Sequence, residues 1–223
     1  TMHRLCGSSL DAAIAASRQV NTQDADLVLV GGVESMSRAP WVLPKTERPF
    51  PMANLELANT TLGWRLVNPA MPKEWTVSLG EATEQLREKY EISREDQDVF
   101  AARSHQQAAA AWAEGKYNNL VVSVPAANKR GTEVTMDETV RADSTAETLG
   151  ALRTVFRDAA TGTVTAGNAS PMSDGASAAF IGSERGGELL GAAPLARIAG
   201  RASSALDPQF FGATQHGAPF GAG

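Results

Sequence analysis

The spacing of apolar and small residues favours helices in three stretches of the chain. Residues 7–18 place small and apolar side chains on one face, and residues 81–90 follow a helical pattern. A third helix is predicted to begin at Ser93 and to end near residue 113. Asp96 stands three positions after Ser93, close to a capping-box arrangement, which marks the start of that helix.

Short apolar runs bounded by turn residues predict strands. Residues 26–30 form one such run and stop at the pair Gly31-Gly32, which is typical of a buried strand in an α/β sheet. A helix followed by a strand suggests a βα repeat and a parallel sheet. Weaker strand candidates are residues 120–124, 131–134, 176–181 and 195–198.

The stretch from residue 36 to about residue 68 shows neither periodicity, and its prolines break up regular structure. It contains Trp41, Phe50 and Trp64, large apolar side chains that favour burial. The stretch is therefore predicted to be a packed irregular segment rather than a flexible linker.

Composition and charge narrow the classes of protein and partner. The 223 residues are 43% hydrophobic and 20% charged, enough apolar material for one large domain or two modest ones. A net charge of -5 argues weakly against a nucleic-acid partner. No apolar run reaches the roughly 20 residues that a membrane span needs, and no secretory signal is visible. The single cysteine has no partner for a disulfide or a metal site, which predicts a reducing, cytoplasmic location.

Cys6 is the first candidate for chemistry because it stands at the start of a predicted helix. The amide groups and macrodipole of a helix N-terminus favour a thiolate. A thiolate attacks a thioester and also leaves well, which suits acyl transfer. The alternative is that Cys6 is a small buried hydrophobic residue, and its position alone leaves both interpretations open.

Two loops are further candidates. Residues 31–37 follow the first predicted strand, and the glycine pair by itself favours a plain strand-ending turn. Residues 163–170 carry no charge and end in Ser170. They could offer backbone and hydroxyl groups to a ligand, or they could form a packed loop with ordinary turn chemistry.

Together these segments resemble the thiolase family in order and spacing. Arg-Leu-Cys-Gly-Ser-Ser at residues 4–9 is followed by Gly-Gly-Val-Glu-Ser-Met-Ser-Arg-Ala-Pro at residues 31–40 and by Thr-Ala-Gly-Asn-Ala-Ser at residues 165–170. Residues 93–104 resemble the family too, and residues 60–69 are most similar to the branch that cleaves 3-oxoadipyl-CoA.

The resemblance implies roles for particular residues. The cysteine of the family's Cys-Gly-Ser motif accepts the acyl group, which makes Cys6 the nucleophile. The Thr-Ala-Gly-Asn-Ala-Ser loop lies along the pantetheine arm of CoA in the family, so Ala166 and Ser170 are expected to contact CoA. Arg141 and Phe156 stand at the spacing of an arginine and an aromatic residue that face the nucleotide end. For Arg141 a solvated surface charge is the alternative.

The chain departs from the family pattern in several respects. His3 replaces the asparagine that usually precedes the Arg-Leu-Cys motif. Many thiolases carry His-Met-Gly where this chain has Ser-Leu-Gly at residues 78–80. The family's Asn-Glu-Ala-Phe, Gly-His-Pro and Cys-x-Gly motifs, which supply the histidine base and a second cysteine, are not found here. His216 matches the histidine motif neither in position nor in residue order. The chain alone is therefore expected to be a weak or inactive catalyst.

The expected fold is α/β, the layered αβαβα type of the thiolases, incomplete and with an inserted loop domain. Residues 1–36, with the nucleophile, and residues 172–193 are assigned to the N-terminal domain. Residues 37–171 are assigned to the loop domain, which covers CoA and helps subunits associate in the family, and residues 194–223 to the start of the C-terminal domain.

The function that the resemblance implies is acyl-CoA C-acyltransferase, with thiolytic cleavage of a 3-ketoacyl-CoA or condensation of acetyl-CoA through a thioester on Cys6. Acyl-CoA and CoA would be substrates, with no separate cofactor and no metal. No nucleic acid and no membrane is expected as a partner, and the full-length protein would be a homodimer or homotetramer. The alternative is a non-catalytic remnant that at most binds CoA.

Overall fold

The computed structural model describes residues 1–126 and 130–213, which form two compact units. The first comprises Thr1–Leu66 and Met172–Ala205, and the second comprises Val67–Pro171 with the described residues from Leu206 onward. In chain order the elements are α1 (Ser8–Asn21), β1 (Leu27–Glu34), β2 (Trp41–Val42), β3 (Ala58–Asn59), α2 (Leu79–Lys89), α3 (Arg94–Ala113), β4 (Val124–Pro125), β5 (Glu133–Val134), α4 (Ala146–Gly150), β6 (Gly175–Gly182) and α5 (Glu184–Leu190), with single 3-10 turns at Met36–Arg38, Lys73–Trp75 and Pro208–Ala213.

The first unit is built on β1 and β6, with α1 packed against both strands. The two strands run antiparallel, from Leu27 opposite Gly182 to Glu34 opposite Gly175. Helix α1 confirms the first predicted helix and extends it to Asn21. Strand β6 confirms the strand predicted at residues 176–181.

Strand β1 continues through the glycine pair at which it was predicted to stop. Gly31 pairs with Ala178, and Gly32 pairs with Ser177. Gly32 lies against α1, where an added Cβ atom would overlap the Ser9 side chain. The glycine therefore lets the helix approach the strand closely, and the predicted end of the strand was wrong.

The expectation of a buried parallel strand is also wrong for the described residues. In β1, Leu29 and Val33 are 64% and 80% exposed, whereas Val30 is buried. Burial of one face is common in antiparallel pairs, whereas a strand in a parallel sheet is covered on both faces. The apolar run was therefore a correct signal for a strand and a misleading signal for its direction.

The irregular segment after β1 is more exposed than predicted. In the described residues its regular structure is the short β2–β3 pair, in which Trp41 lies opposite Asn59. Trp41 is 63% exposed, Phe50 88% and Trp64 56%. The prediction of a packed segment is therefore wrong for this chain, because these side chains lie on the surface of the unit.

Helices α2 and α3 of the second unit each begin at a serine cap. The Ser78 hydroxyl accepts a hydrogen bond from the Glu81 amide at 3.2 Å, and the Ser93 hydroxyl accepts one from the Asp96 amide at 3.0 Å. These bonds satisfy amides that the first turn of a helix leaves open. The predicted limits of α3 are confirmed, and α2 begins at Leu79 rather than at residue 81.

The interior of the second unit mixes apolar and polar side chains. Its buried apolar residues include Ala82, Ala102, Leu149 and Val164, and its buried polar residues are Glu84, Asp98, Ser144, Thr163 and Thr165. Buried carboxylates are stable only where hydrogen-bond donors surround them. The groups that donate to Glu84 and Asp98 must therefore point toward these carboxylates, which restrains the backbone that carries them.

The strands predicted at residues 120–124 and 131–134 are each only two residues long in the structure. They form the β4–β5 pair, in which Val124 lies opposite Val134. Leu120 and Val122 are 78% and 82% exposed, so that apolar run forms no buried strand. Residues 195–198 form no strand either.

The assignment of residues to family domains stays a prediction, because a compact unit need not coincide with a domain of the family. Among the described residues, no helix combines the length and the apolar character that crossing a membrane requires.

Candidate active site

Cys6 lies in an exposed loop directly before α1 and has a free thiol. The loop is closed by short-range hydrogen bonds. The Ser8 hydroxyl accepts the Arg4 amide at 2.8 Å and donates to the Leu5 carbonyl at 2.6 Å. Leu5 adopts a positive φ of 46°, which turns the chain sharply just before the cysteine.

The start of α1 leaves fewer free amides near the Cys6 sulfur than the sequence suggested. The amide of Gly7 donates to the Arg4 carbonyl at 2.9 Å, and the amide of Ser8 donates to the Leu5 carbonyl at 3.1 Å. The two amides that follow Cys6 are therefore already used by the loop itself. The helix macrodipole remains as a source of positive potential near the sulfur, and the exposure of Cys6 excludes the buried-residue interpretation for the described chain.

The predicted CoA loop, residues 163–170, is buried at its beginning, half-buried at Gly167 and Asn168, and exposed at Ala166 and at its end. Thr163, Val164 and Thr165 are 8%, 4% and 0% exposed, whereas Ala166 and Ser170 are exposed. The segment is thus neither a free loop nor a fully packed one. Its interior end is fixed, and its other end is accessible to a ligand.

Glu84 of α2 binds the interior end of this segment. Its Oε1 atom accepts the amides of Thr163 at 2.7 Å and Val164 at 2.8 Å, and its Oε2 atom accepts the Thr163 hydroxyl at 2.8 Å and Arg87 Nε at 3.2 Å. The side chain is fully buried. Burial raises the pKa of Glu84, but the hydrogen bonds from Val164, Thr163 and Arg87 outweigh it and leave the pKa below its ordinary value.

Asp98 of α3 binds the middle of the same segment through Asn168. Asp98 Oδ1 accepts Asn168 Nδ2 at 2.9 Å, and Asp98 Oδ2 accepts Arg94 Nε at 2.7 Å. Asn168 in turn accepts the Thr165 amide at 2.7 Å and donates to the Thr163 carbonyl at 3.0 Å. The asparagine therefore ties the two ends of a tight turn to a carboxylate that is only 2% exposed.

A cavity of about 740 Å³ lies beside this turn in the second unit. Ser170 lines it together with Asn168 and with His105 of α3. The backbone amide of Arg141 donates to His105 Nδ1 at 3.3 Å, so Arg141 lies next to the same cavity. Its exposed side chain leaves the surface-charge interpretation open.

The remaining predicted CoA residues occupy separate places in the second unit. Phe156 lies over Gly80 at the start of α2, where an added Cβ atom would overlap the ring. Ala166 is exposed at the tip of the turn. The structure therefore places Arg141 and Ser170 beside one cavity, while Cys6 belongs to the first unit. His216 lies outside the described residues.

Sequence reasoning missed Glu84 and Asp98. Glu84 belongs to a row of glutamates at helical spacing in α2, Glu81, Glu84 and Glu88. Glu81 and Glu88 form ion pairs with Arg157 at 2.7 Å and 2.6 Å and remain partly exposed. A row of acidic residues on one face is the only signal that could have indicated a buried member, and it does not say which one.

Metal binding has no candidate in the part of the chain that the structure describes. No group of three or more His, Cys, Asp or Glu side chains stands close enough together there to hold an ion.

Comparison with known proteins identifies the family. The sequence profile described as "Thiolase, N-terminal domain" matches residues 1–185. The 3-oxoadipyl-CoA/3-oxo-5,6-dehydrosuberyl-CoA thiolase of Escherichia coli (strain K12) is 45% identical over 215 residues, covering 95% of this chain and 53% of that protein. The β-ketoadipyl-CoA thiolase of Pseudomonas putida is 42% identical over 214 residues, with the same two coverages.

Solved structures agree with the sequence relatives. Human mitochondrial 3-ketoacyl-CoA thiolase, crystallised in complex with CoA, matches with a TM-score of 0.81 and 32% identity over 94% of this chain and 51% of that one. The acetyl-CoA acetyltransferase of Bacillus anthracis matches with a TM-score of 0.80 and 36% identity, over 94% of this chain and 52% of that one.

The chain spans about half the length of the curated relatives that it matches. The expected α/β fold is confirmed by these structures. With most of its residues matched by the family profile and its motifs in the family order, the chain belongs to the thiolase family.

Proposed function

We propose that the chain is the nucleophile-bearing part of an acyl-CoA C-acyltransferase, with Cys6 as the residue that carries the acyl group. The observation that carries this proposal is the exposed thiol of Cys6 directly before α1 in a chain of the thiolase family. The thiol is accessible, and a thiolate is both a good nucleophile and a good leaving group towards thioesters.

In the cleavage direction, the Cys6 thiolate attacks the 3-keto carbon of a 3-ketoacyl-CoA. The bond between C2 and C3 breaks, its electron pair passes to the acetyl-CoA enolate, and that enolate takes up a proton. The acyl group is left as a thioester on Cys6. The thiol of a second CoA gives up its proton and attacks this thioester, which releases a shortened acyl-CoA and restores the Cys6 thiolate.

CoA binding is proposed for the second unit. The human mitochondrial structure contains CoA, and the exposed end of the 163–170 segment offers Ala166 and Ser170 as contacts for the pantetheine arm. Arg141 would contact the phosphates through its planar guanidinium, and Phe156 would face the adenine. The position of Ser170 in the wall of the cavity supports this proposal.

The wider properties of the whole protein are proposals of the same kind. Acyl-CoA and CoA act as substrates, so no further cofactor and no metal is required. A homodimer or homotetramer and a cytoplasmic location fit the family and the lone free cysteine. The names of the relatives make 3-oxoadipyl-CoA a substrate to be assayed first.

Incubation with acetyl-CoA tests the acyl transfer directly. We expect the intact mass to rise by one acetyl group, located on Cys6 by peptide mapping, and we expect no adduct with Cys6→Ser. A folded wild-type chain that gains no acetyl group, even after long incubation, would overturn acyl transfer by this chain.

The alternative outcome is binding without chemistry. A chain that binds CoA, as measured by calorimetry, but neither becomes acetylated nor consumes 3-oxoadipyl-CoA would be a CoA-binding remnant. Turnover of 3-oxoadipyl-CoA that disappears with Cys6→Ser would instead support the enzyme.

A further inference from the structure

Two buried carboxylates approach the 163–170 segment from different helices, Glu84 from α2 and Asp98 from α3. Both have almost no solvent exposure. A buried carboxylate is costly unless all its acceptor sites are used. In both cases the donors include this segment, so the carboxylates and the segment depend on each other for their stability.

Glu84 determines where the segment begins. Its Oε1 atom receives two consecutive amides, those of Thr163 and Val164, at 2.7 Å and 2.8 Å. Two consecutive amides can point at one oxygen only in a narrow range of backbone dihedral angles. Arg87 Nε donates to the second oxygen, Oε2, at 3.2 Å. The direction in which the chain leaves Val164 is therefore set by a side chain of α2.

Asp98 determines how the segment turns. Its partner Asn168 accepts the Thr165 amide at 2.7 Å, while the Thr165 hydroxyl accepts the amides of Gly167 and Asn168 at 3.2 Å and 3.3 Å. An added Cβ atom at Gly167 would come within 2.6 Å of the Leu149 side chain. The turn is therefore pressed against α4 and leaves Ala166 facing outward.

We propose that Glu84 and Asp98 are positioning residues that hold the 163–170 segment in the shape that receives the pantetheine arm of CoA. The inference rests on the proposed CoA binding and adds the residues that make the binding surface. Neither carboxylate touches CoA in this proposal. Each acts through backbone amides or through Asn168. Ala166 and Ser170 are therefore held in place before CoA arrives, and CoA binding does not have to pay the conformational entropy of ordering the segment.

The test compares two ligands of the 223-residue chain by calorimetry. One is CoA, and the other is 3′-phosphoadenosine 5′-diphosphate, which is CoA without its pantetheine arm. For Glu84→Gln we expect the Kd of CoA to rise about tenfold, equivalent to the loss of one good hydrogen bond. The Kd of the nucleotide should stay within about twofold, because a shift of the segment affects the arm alone.

A matched control and a milder variant complete the design. Glu95→Gln makes the same change at an exposed position of α3 and should leave both Kd values unchanged. Thr163→Val removes the hydroxyl that donates to Glu84 and accepts Gln97 Nε2 at 3.1 Å. It keeps both amides, so it should fold even where Glu84→Gln does not. We expect it to weaken CoA binding about threefold, again without effect on the nucleotide.

The outcomes separate the inference from the function on which it rests. If the wild type binds CoA and Glu84→Gln or Thr163→Val binds both ligands as the wild type does, the positioning role is overturned alone. An equal weakening for both ligands also overturns it, because it indicates a general loss of structure. If the wild-type chain binds no CoA, the proposed function fails and the positioning role falls with it.

Discussion

The loop around Cys6 and the 163–170 segment are built in opposite ways. The hydrogen bonds that close the cysteine loop join residues three or four positions apart, and the thiol is exposed. A weak contact reaches much further along the sequence, from Arg4 Nη1 to Ser203 Oγ at 3.5 Å. The 163–170 segment is bound by Glu84 and Asp98, which are 70 to 80 positions away in the sequence, and its first residues are buried.

In the proposed function, this difference separates the reactive thiol from the segment that places the substrate. A thiol in a loop with local contacts can be changed without disturbing the rest of the unit. A segment whose amides are bound to buried carboxylates is part of the core, so a change there alters stability and ligand binding together. Substitutions at the two sites should therefore affect the free energy of unfolding very differently.

The largest effect is expected for Glu84→Ala. The substitution leaves the buried amides of Thr163 and Val164 without an acceptor and leaves Arg87 without its closest carboxylate partner. Removing one partner of a buried charged network costs about 3–5 kcal/mol. Urea unfolding followed by circular dichroism should show a loss of that size in the free energy of unfolding, compared with about 0.5 kcal/mol or less for Glu95→Ala at the surface.

The comparison would break if the two glutamate variants were equally stable. That result would mean that water or a neighbouring group replaces Glu84 at the two amides, and that the 163–170 segment is no more firmly held than the cysteine loop.

The next largest effect is expected for Gly167→Ala. A Cβ atom there would lie 2.5 Å from Leu152 Cδ1 and 2.6 Å from Leu149 Cδ2. Overpacking costs about 1–3 kcal/mol, and we expect the lower end because Leu152 is 40% exposed and can turn away. Gly175→Ala is the control, since an added Cβ atom there meets nothing within 4 Å. Equal unfolding midpoints for the two variants would contradict the close contact of the turn with α4.

The contrast between the two regions also explains what sequence could and could not predict. Local signals identified Cys6 before α1 and the cap at Ser93, because a helix start depends on a few adjacent residues. The antiparallel pairing of β1 with β6 and the exposure of Trp41 depend on residues far away in the chain. Periodicity within one stretch carries no information about such partners.

The residues of the candidate site likewise divide into those that the sequence indicates and those that it does not. The motif at residues 165–170 and the cysteine are visible in the sequence as short strings. Glu84 and Asp98 are not, because their role depends on burial, and each stands among other acidic residues that remain on the surface. A charged residue in an amphipathic helix is normally solvated, so its burial emerged only with the tertiary contacts.

A smaller effect on the free energy of unfolding is expected when the pH is lowered. Burial opposes ionisation of Glu84, but its hydrogen bonds to Val164, Thr163 and Arg87 dominate and hold its pKa below the ordinary value of 4.5. Its ionised form therefore stabilises the fold above about pH 4.5, and this contribution is lost as the pH falls through the lowered folded-state pKa. The difference in free energy of unfolding between wild type and Glu84→Gln should shrink between neutral pH and about pH 3.

Measuring the difference between the two proteins removes the contribution of the other carboxylates, such as Asp158 and Asp174, whose pKa values are also lowered by hydrogen bonds from Thr161 and Ser37. A difference that stays constant across this range would contradict an ionised, hydrogen-bonded Glu84.

The smallest effect on stability is expected at the proposed nucleophile, Cys6. Cys6 is exposed, and the hydrogen bonds that close its loop come from Ser8 and the backbone rather than from the thiol. Cys6→Ser should therefore change the free energy of unfolding by no more than about 0.5 kcal/mol, even though it removes the proposed acyl acceptor. Urea unfolding of the two proteins under reducing conditions tests this. A loss above about 1 kcal/mol would mean that the thiol is packed or paired in the folded chain. The contrast between a cysteine loop closed by local bonds and a 163–170 segment held by distant buried carboxylates would then no longer describe the molecule.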